Sequence, residues 1–286
     1  VPARRAARQA AEVYKMRILL LGANGQVGFE LARSLAPLGE LVCASRDGKM
    51  PGGAACLAAD LGSPASLAAA LDSTQADVIV NAAAYTAVDR AEDEPQLAQR
   101  INARALAEIG AWAASNNALV VHYSTDYVFD GSGTKPYREI DAVAPLGVYG
   151  ASKLAGEIAL RASGCDHLIL RTAWVYAARG HNFLRTMLRL ARDRDELRIV
   201  ADQHGAPTPA RLISAATAAV LAQRMGGREM KPGTYHLCAA GQCTWFDFAG
   251  AIFARAQAAG LIERVPRLVP IATADYPTPA RRPAYS

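Results

Sequence analysis

Short apolar runs alternate with longer segments of helical periodicity over the first 173 residues of the chain. Runs rich in aliphatic and β-branched residues predict strands at 16–22, 40–44, 54–58, 77–82, 118–123 and 167–172. The segments between them predict helices at 26–36, 64–71, 95–116 and 149–162. Alternation at this spacing is typical of βαβ units, which build a parallel sheet with helices on both faces and a ligand at the carboxyl ends of the strands.

The alternation loosens after residue 173. The pattern there predicts helices at 182–192, 210–224 and 245–258, a strand at 234–238 and a Gly- and Pro-rich loop at 202–209. The fold class we expect is therefore α/β: a Rossmann-type doubly wound parallel sheet with a smaller, mixed C-terminal lobe. Residues 16–173 would form the first domain. Residues 174–286 would mainly form a lobe that holds a substrate, with some segments returning to the first domain.

The net charge of +5 is concentrated at the two ends of the chain. Residues 1–15 carry four basic side chains against Glu12, and Arg281 and Arg282 lie near the other end, so the body between them is neutral. This distribution does not indicate a face that binds nucleic acid. No apolar run approaches the ~20 residues of a membrane span. Because a compact domain would naturally begin at Met16, where the first predicted strand starts, we expect residues 1–15 to be a disordered or non-native extension.

Cysteine usage bears on the compartment and on metal binding. The five cysteines, at positions 43, 56, 165, 238 and 243, are odd in number and form no C-x-x-C motif. This usage favours a cytoplasmic protein over one with a disulfide framework. No cluster of cysteine and histidine has the spacing of a metal site, so no resident metal is predicted.

A glycine motif links the first predicted strand to the first predicted helix, with the sequence Gly22-Ala-Asn-Gly25-Gln-Val-Gly28. Glycine allows a tight turn and a close approach of the backbone to a pyrophosphate. The N–H groups at the start of the following helix attract the same negative charge. Between a strand and a helix, Gly22, Gly25 and Gly28 predict a dinucleotide site, which makes residues 16–173 an NAD(P)-binding domain.

The choice of dinucleotide depends on the end of the second strand. Arg46 lies there and favours NADPH, because an arginine suits a 2′-phosphate. The adjacent Asp47 weakens that preference and leaves NADH possible. An ordinary exposed loop arginine is an equally good interpretation of Arg46. After the third strand, Asp60 and Leu61 could meet the adenine ring. After the fourth strand, the small side chains of residues 82–84 leave room for a cofactor.

An acid–base pair is predicted on the helix at 149–162. Tyr149 and Lys153 are four residues apart and share one helical face. A tyrosine with a pKa near 10 is a poor proton donor at neutrality, and an ammonium one turn away is expected to lower that pKa. Thr125, in the motif Ser124-Thr125-Asp126 after a neighbouring strand, could hydrogen-bond a substrate oxygen. Tyr-x-x-x-Lys occurs by chance on many helices, so the interpretation depends on the other motifs. His122, within a strand, is interpreted as a core histidine.

The three motifs resemble those of the extended short-chain dehydrogenase/reductases. Within that superfamily, five further stretches are similar to the dTDP-4-dehydrorhamnose reductase family: Asn81-Ala-Ala-Ala-Tyr-Thr-Ala-Val-Asp89, His122-Tyr-Ser-Thr-Asp-Tyr-Val-Phe129, Arg171-Thr-Ala-Trp174-Val-Tyr, Asp202-Gln-x-Gly-x-Pro-Thr208 and Pro279-Ala-Arg-Arg-Pro283. The resemblance covers residues 16–286. The family pattern continues past Ser286 into a final helix, and it has no counterpart of residues 1–15.

The resemblance implies a reaction and a set of roles. Hydride from NADPH or NADH would reduce the C4 ketone of dTDP-4-dehydro-L-rhamnose to dTDP-L-rhamnose, the final step of dTDP-rhamnose biosynthesis. Tyr149 would donate the proton, and Lys153 would adjust the pKa of Tyr149 and anchor the ribose of the cofactor. Thr125, Asp126 and Trp174 would contact the sugar. The cofactor would be lined by residues at the strand ends: Gly25, Gln26, Val27, Gly28, Asp60, Leu61, Ala83, Ala84, Tyr85, Thr86 and Tyr123.

The partner implied is a small dTDP-sugar, with neither nucleic acid nor membrane, and the chain would be a monomer or a homodimer. Some relatives dimerise with the help of magnesium, but no metal-ligand cluster in this sequence supports a magnesium site. A nucleotide-sugar dehydratase would need a second carboxylate after Asp126, where this chain has Tyr127. Two alternatives remain: another reductase or epimerase of nucleotide sugars, and a catalytically silent NADP-binding regulatory subunit. The intact set Thr125, Tyr149 and Lys153 favours an enzyme over the silent subunit.

Overall fold

A parallel sheet of seven strands forms the centre of the computed structural model, which describes residues 16–228 and 230–286. Its first six strands are β1 (Arg17–Leu21), β2 (Glu40–Ser45), β3 (Leu57–Ala58), β4 (Val78–Asn81), β5 (Leu119–Thr125) and β6 (Asp166–Thr172). The seventh, Gly233–His236, pairs with β6 at one edge, and β3 lies at the other. Every neighbouring pair in this sheet is parallel, as the strand–helix alternation predicts.

Three two-stranded sheets follow in the C-terminal half. Their strands are β7 (Val175–Tyr176) with β10 (Thr208–Pro209), β9 (His204–Gly205) with β12 (Cys243–Thr244), and β8 (Glu196–Val200) with β13 (Arg267–Ile271), while Gly233–His236 is β11. The sequence analysis predicted neither β8 nor β13. Strand β8 alternates exposed and buried residues, but its charged residues hide the strand pattern in the sequence. In β13, Pro270 argues against a strand, because proline is rare inside one. The predicted loop at 202–209 contains β9 and β10.

Nine α-helices pack around these sheets in the described part of the chain. They are α1 (Gln26–Leu35), α2 (Pro64–Thr74), α3 (Arg90–Asp93), α4 (Pro95–Gln99), α5 (Ala105–Ser115), α6 (Val148–Ala162), α7 (Phe183–Asp193), α8 (Ala210–Met225) and α9 (Trp245–Ala258). The predicted helix at 95–116 is interrupted by a π-helical turn at Arg100–Arg104. No helix within residues 16–228 and 230–286 is long and apolar enough to cross a lipid bilayer.

Apolar residues cover both faces of the main sheet. Successive residues of β1 alternate between two buried clusters: Leu19 and Leu21 face the cluster containing α2, α5 and α6, and Ile18 and Leu20 face the one containing α1 and α8. A strand buried on both faces reads as a continuous apolar run, which is why the sequence predicts these strands. A third cluster joins α7, β8 and α9 through Met187, Leu197 and Phe253, separately from the sheet.

Segments before and after residue 173 in the sequence both contribute to the main sheet and to the helices that pack on it. Strand β11 extends the sheet, and α8 packs on one face through Ile213 and Leu221. The boundary between the predicted domains, 16–173 and 174–286, stays a prediction. The expectation for residues 1–15 lies outside the described residues.

Candidate active site

The glycine motif forms a tight junction between β1 and α1. Gly22 has φ +75°, a conformation that favours glycine, and a Cβ on it would lie 2.7 Å from the backbone nitrogen of Ala83. A Cβ on Gly28 would lie 2.0 Å from the carbonyl oxygen of Gly22. No side chain caps the start of α1 at Gly25, so the first N–H groups of the helix face outward with its positive dipole end. The junction therefore fits the pyrophosphate of a dinucleotide.

Gln26, predicted to contact the cofactor, also connects the glycine motif to the C-terminal half. Its Oε1 accepts a hydrogen bond from Asn182 Nδ2 at 2.6 Å, and its Nε2 donates to the carbonyl oxygen of His181 at 3.2 Å. Nearby, the guanidinium of Arg179 lies 3.4 Å from the centre of the Phe29 ring. The segment 179–182 thus packs against the first turns of α1, close to Gln26 and Val27.

Most other predicted cofactor residues also follow the carboxyl ends of the strands. Arg46 directly follows β2 and is exposed, and the carboxylate of Asp47 accepts a hydrogen bond from Ser45. The carboxylate of Asp60 accepts a hydrogen bond from the N–H of Gly62 at 2.8 Å. The small, half-buried Ala83 and Ala84 and the exposed Thr86 come after β4.

Three predicted cofactor residues have side chains with other partners. Leu61 is buried in the core against α2. The hydroxyl of Tyr85 donates to Glu94 at 2.7 Å, and the hydroxyl of Tyr123 bonds with Thr217 at 2.8 Å. In this arrangement Leu61, Tyr85 and Tyr123 offer a cofactor mainly their backbone.

The acid–base residues meet where α6 begins beside the end of β5. Tyr149 lies in the first turn of α6, close enough to the Thr125 hydroxyl for Thr125 to influence its pKa. Thr125 also donates to Asp126 Oδ1 at 3.0 Å and accepts from the N–H of Tyr127. Burial raises the pKa of Tyr149 to about 12. Tyr149 is therefore a neutral phenol that keeps its proton at neutral pH, and in this structure it is a weaker acid than an ordinary tyrosine.

The prediction that Lys153 lowers the pKa of Tyr149 is wrong for this structure. Lys153 Nζ donates to the carbonyl oxygen of Tyr123 at 2.6 Å and lies 3.1 Å from His122 Nε2, so its head is bound beside β5. Burial lowers the pKa of Lys153 to about 7, while Glu157 opposes that shift. Because burial outweighs the other influences on Tyr149, the pKa of that phenol is raised instead of lowered.

A cleft of about 440 Å³ opens beside Asp126 and contains polar groups that the sequence analysis did not identify. Thr172 Oγ1 and His236 Nε2, both on lining residues, are buried without a hydrogen-bond partner among the described residues. Arg171 also lines the cleft, with its Nε and one terminal nitrogen bound to Glu157. Unpartnered buried polar atoms are costly, so this cleft suits a polar ligand. The motif that begins at Arg171 was the available signal, but nothing in it singled out Thr172.

Asp126, predicted to contact the substrate, lies at the wall of this cleft. Its carboxylate accepts hydrogen bonds from the hydroxyls of Thr125 and Ser286. Burial is the largest influence and raises the pKa of Asp126 to about 6. The carboxylate therefore carries its charge at neutral pH in a poorly solvated position.

Trp174, also predicted to contact the substrate, packs between segments of the C-terminal half. Its indole stacks on Trp245 with the ring centres 3.5 Å apart and the planes 4° from parallel. A Cβ on Gly205 would lie 2.4 Å from the Trp174 ring, so glycine is needed there. Trp174 has φ +44°, an uncommon conformation for a bulky residue. Trp174 follows Ala173 and its ring packs on Gly205, and both of these neighbours line the cleft, although Trp174 itself is not a lining residue.

The chain was compared with known proteins. A family model described as the RmlD substrate binding domain matches residues 16–286. The dTDP-4-dehydrorhamnose reductase of Burkholderia thailandensis is 52% identical over 276 residues, which cover 95% of this chain and 89% of that protein. This chain belongs to the dTDP-4-dehydrorhamnose reductase family. The family member of Escherichia coli K12 is 48% identical and covers 94% of this chain and 87% of its own length.

Solved structures of the dTDP-4-dehydrorhamnose reductase family confirm the fold. The enzyme of Bacillus anthracis, determined in complex with NADP, has a TM-score of 0.82 at 33% identity and covers 95% of this chain and 89% of its own. An orthologue from Clostridium acetobutylicum has a TM-score of 0.83 at 35% identity, with the same coverage. The predicted Rossmann-type α/β class is confirmed. No group of three or more acidic, histidine or cysteine side chains that could hold a metal ion occurs within residues 16–228 and 230–286.

Proposed function

We propose that this chain is an NAD(P)H-dependent oxidoreductase that reduces the C4 ketone of dTDP-4-dehydro-L-rhamnose to dTDP-L-rhamnose, the last step of dTDP-rhamnose biosynthesis. The relatives and the NADP-bound neighbour support this function. The observation that carries it is the position of Tyr149, in the first turn of α6, beside Thr125, which ends β5 and directly precedes Asp126 in the cleft wall. A ketone placed there would have a proton donor beside it.

The residues of this chain supply the proton and the geometry, and bound NADPH would supply the hydride to C4. Tyr149 holds its proton at neutral pH because burial keeps the phenol neutral. Thr125, fixed by its bonds to Asp126 and Tyr127, orients the substrate oxygen towards that phenol. The phenol then protonates the developing alkoxide. Lys153 is the expected anchor for the cofactor ribose, since its buried head lies at the same strand end.

The sugar nucleotide would bind in the cleft beside Asp126. A volume of about 440 Å³ lies in the range of small-molecule sites. A sugar nucleotide there would supply hydrogen-bond partners to Thr172 Oγ1 and His236 Nε2, which have none among the described residues. Trp174 would cover an apolar face of the deoxysugar from the adjoining segment. Arg46 would bind the 2′-phosphate of NADPH, which makes NADPH the expected cofactor and NADH the weaker alternative.

Turnover of the sugar itself tests this function. The purified chain is mixed with NADPH and enzymatically generated dTDP-4-dehydro-L-rhamnose, and the loss of NADPH is compared with the dTDP-L-rhamnose formed. We expect equal amounts. NADPH binding without turnover would instead identify a silent regulatory subunit. Equal efficiency with a 4-keto sugar of another configuration would refute the substrate assignment.

A further inference from the structure

Three buried polar side chains contact one another in a row, and the last of them, Lys153, is one of the acid–base residues. Asn81 ends β4, His122 lies within β5, and Lys153 reaches in from α6. Each is at most 2% exposed. Asn81 Nδ2 lies 3.2 Å from His122 Nδ1, and Lys153 Nζ lies 3.1 Å from His122 Nε2. His122 is thus held between an amide and an amine, away from water.

The orientation of the Asn81 amide is fixed by a backbone group. The N–H of Ala83 donates to Asn81 Oδ1 at 3.1 Å. If the amide were turned over, this N–H would face an NH₂ group and lose its acceptor. The Asn81 NH₂ group therefore points at His122 Nδ1 and donates to it.

This orientation determines where His122 carries its proton. Burial, together with the nearby Lys153, holds the pKa of His122 well below its ordinary value, so the ring is neutral and has one N–H. Nδ1 accepts from Asn81, so the proton must lie on Nε2. The ring then points an N–H donor at Lys153 Nζ. An ammonium has three donors and no acceptor, whereas a neutral amine has a lone pair that can accept this bond.

We propose that His122 is a positioning residue that holds Lys153 as a neutral amine in the cofactor-free protein. The amine accepts from His122 Nε2–H and donates one of its own hydrogens to the carbonyl oxygen of Tyr123. The ammonium form needs the other tautomer of His122, with the Asn81 amide turned over. That turn would release the N–H of Ala83, in the predicted cofactor wall. The charge of Lys153 is thereby coupled to the backbone that faces the cofactor.

The charged groups around Lys153 are compatible with this state. Glu157, one turn further along α6, favours the ammonium, but its carboxylate is bound by Arg171 from β6 and by Arg161. Ser124 in β5 donates to the same carboxylate at 2.5 Å. Tyr149, one turn before Lys153, is neutral at the pH concerned. Apart from Glu157, no charged group within the described residues shifts the pKa of Lys153.

Nitrogen-15 NMR of the histidine rings tests the proposal without substrate or cofactor, so its result is independent of the proposed reaction. At a pH above the value of about 7 to which burial lowers the pKa of Lys153, His122 should show a bare Nδ1 and a protonated Nε2. His167 is the matched internal control, because its Nδ1 lies 2.9 Å from the carbonyl oxygen of Cys165 and must carry a proton. The two rings should therefore be opposite tautomers. His122 in the tautomer of His167, or doubly protonated, would overturn the proposal.

A substitution tests the consequence for Lys153. In His122→Gln, the side-chain carbonyl can face Lys153 and stabilise its ammonium. The Lys153 side-chain signals of the cofactor-free variant should then titrate at least about one pH unit higher than in the wild type. In the active enzyme, the alkaline limb of kcat should move in the same direction. His167→Gln, at a buried histidine on the neighbouring strand, should leave both unchanged.

An unchanged Lys153 titration in a folded His122→Gln variant would contradict the proposal. Equal shifts in His122→Gln and His167→Gln would also contradict it, since a general loosening of the fold would then be the cause. If His122→Gln does not fold, the tautomer measurement on the wild-type protein decides alone.

Discussion

The glycine junction and the polar cleft lie at the same edge of the sheet but are built in different ways. The junction comes from Gly22, Gly25 and Gly28, within seven consecutive residues, and is made of backbone. The cleft brings together Asp126 and His236, which are 110 positions apart, and is made of side chains. A local motif can be recognised in the sequence, whereas an assembled cleft appears only when the chain is folded.

The two regions also differ in what they tolerate. A Cβ on Gly28 would meet a carbonyl oxygen at 2.0 Å, so the junction allows no side chain there. In the cleft, Thr172 Oγ1 and His236 Nε2 are buried and have no hydrogen-bond partner within residues 16–228 and 230–286. Such atoms cost stability until a ligand bonds them. We infer that the junction is constrained by packing and that the cleft determines the choice of sugar.

The largest effect is expected where the two regions meet. Tyr149→Phe removes the hydroxyl and keeps the ring, so the fold and NADPH binding should be retained. Activity should fall by about 10²–10⁴-fold, the usual contribution of general acid catalysis. Steady-state kinetics with NADPH and the dTDP-sugar measure the activity, and a thermal melt shows whether the fold is retained. Near-normal turnover in the folded variant would refute the role of Tyr149.

A smaller effect is expected from the buried charge of the cleft. The pKa of Asp126 is raised from 3.8 to about 6, so the folded state binds more protons than the unfolded state between these values. The stability that this carboxyl contributes is complete below 3.8 and is lost as the pH rises through 6. Asp126→Asn should therefore be more stable than the wild type at pH 7, by up to about 3 kcal/mol.

Urea unfolding of both proteins at two pH values measures this difference. Near pH 4 it should shrink towards zero, because Asp126 is then protonated in the wild type. A difference that is the same at both pH values would show that charge burial is not its cause.

Trp174 connects the cleft to the third core cluster. Trp174→Ala removes the stack on Trp245 and should lower the free energy of unfolding by about 3 kcal/mol, the lower end of the usual range for this substitution, because Trp174 is only partly buried. Trp174→Gly loses the same ring but tolerates φ +44°, so it should be less destabilised than the alanine variant.

At low temperature, where both Trp174 variants are folded, KM for the sugar should rise and KM for NADPH should not. An unchanged sugar KM would remove Trp174 from the proposed substrate site.

The next prediction concerns the cofactor side alone. If Arg46 binds the 2′-phosphate, Arg46→Ala should raise KM for NADPH about tenfold and leave KM for NADH nearly unchanged. Stability should be retained, because the side chain is exposed. Equal changes for both cofactors would make Arg46 an ordinary surface residue.

The smallest effect is expected at an unpartnered hydroxyl of the cleft. Thr172→Val removes Oγ1, which has no hydrogen-bond partner among the described residues, and nearly preserves the shape of the side chain. KM for the dTDP-sugar should rise about fivefold, the value of one modest hydrogen bond, while the melting temperature stays the same or rises. A large loss of stability would show that Oγ1 is already bonded in the free protein.

The sequence predicts the sheet and the positions of its motifs because both are local. Buried parallel strands such as β1 and β4 read as apolar runs, and the spacing of Tyr149 and Lys153 places them on one helical face. The pKa of Tyr149 was mispredicted because burial dominates it, and burial cannot be read from the spacing of two residues. The contacts of Lys153 with Tyr123 and His122 in β5 were also missed, since the sequence analysis interpreted His122 only as part of the core.

Transfer of a labelled hydride tests the central claim most directly. The wild-type protein is given dTDP-4-dehydro-L-rhamnose and NADPH that carries deuterium at its reactive nicotinamide carbon, and the product is examined by NMR. The account predicts dTDP-L-rhamnose with deuterium at C4 alone, and Tyr149→Phe should form it far more slowly under the same conditions. A product without deuterium at C4, or no product from a protein that binds NADPH, would contradict the account.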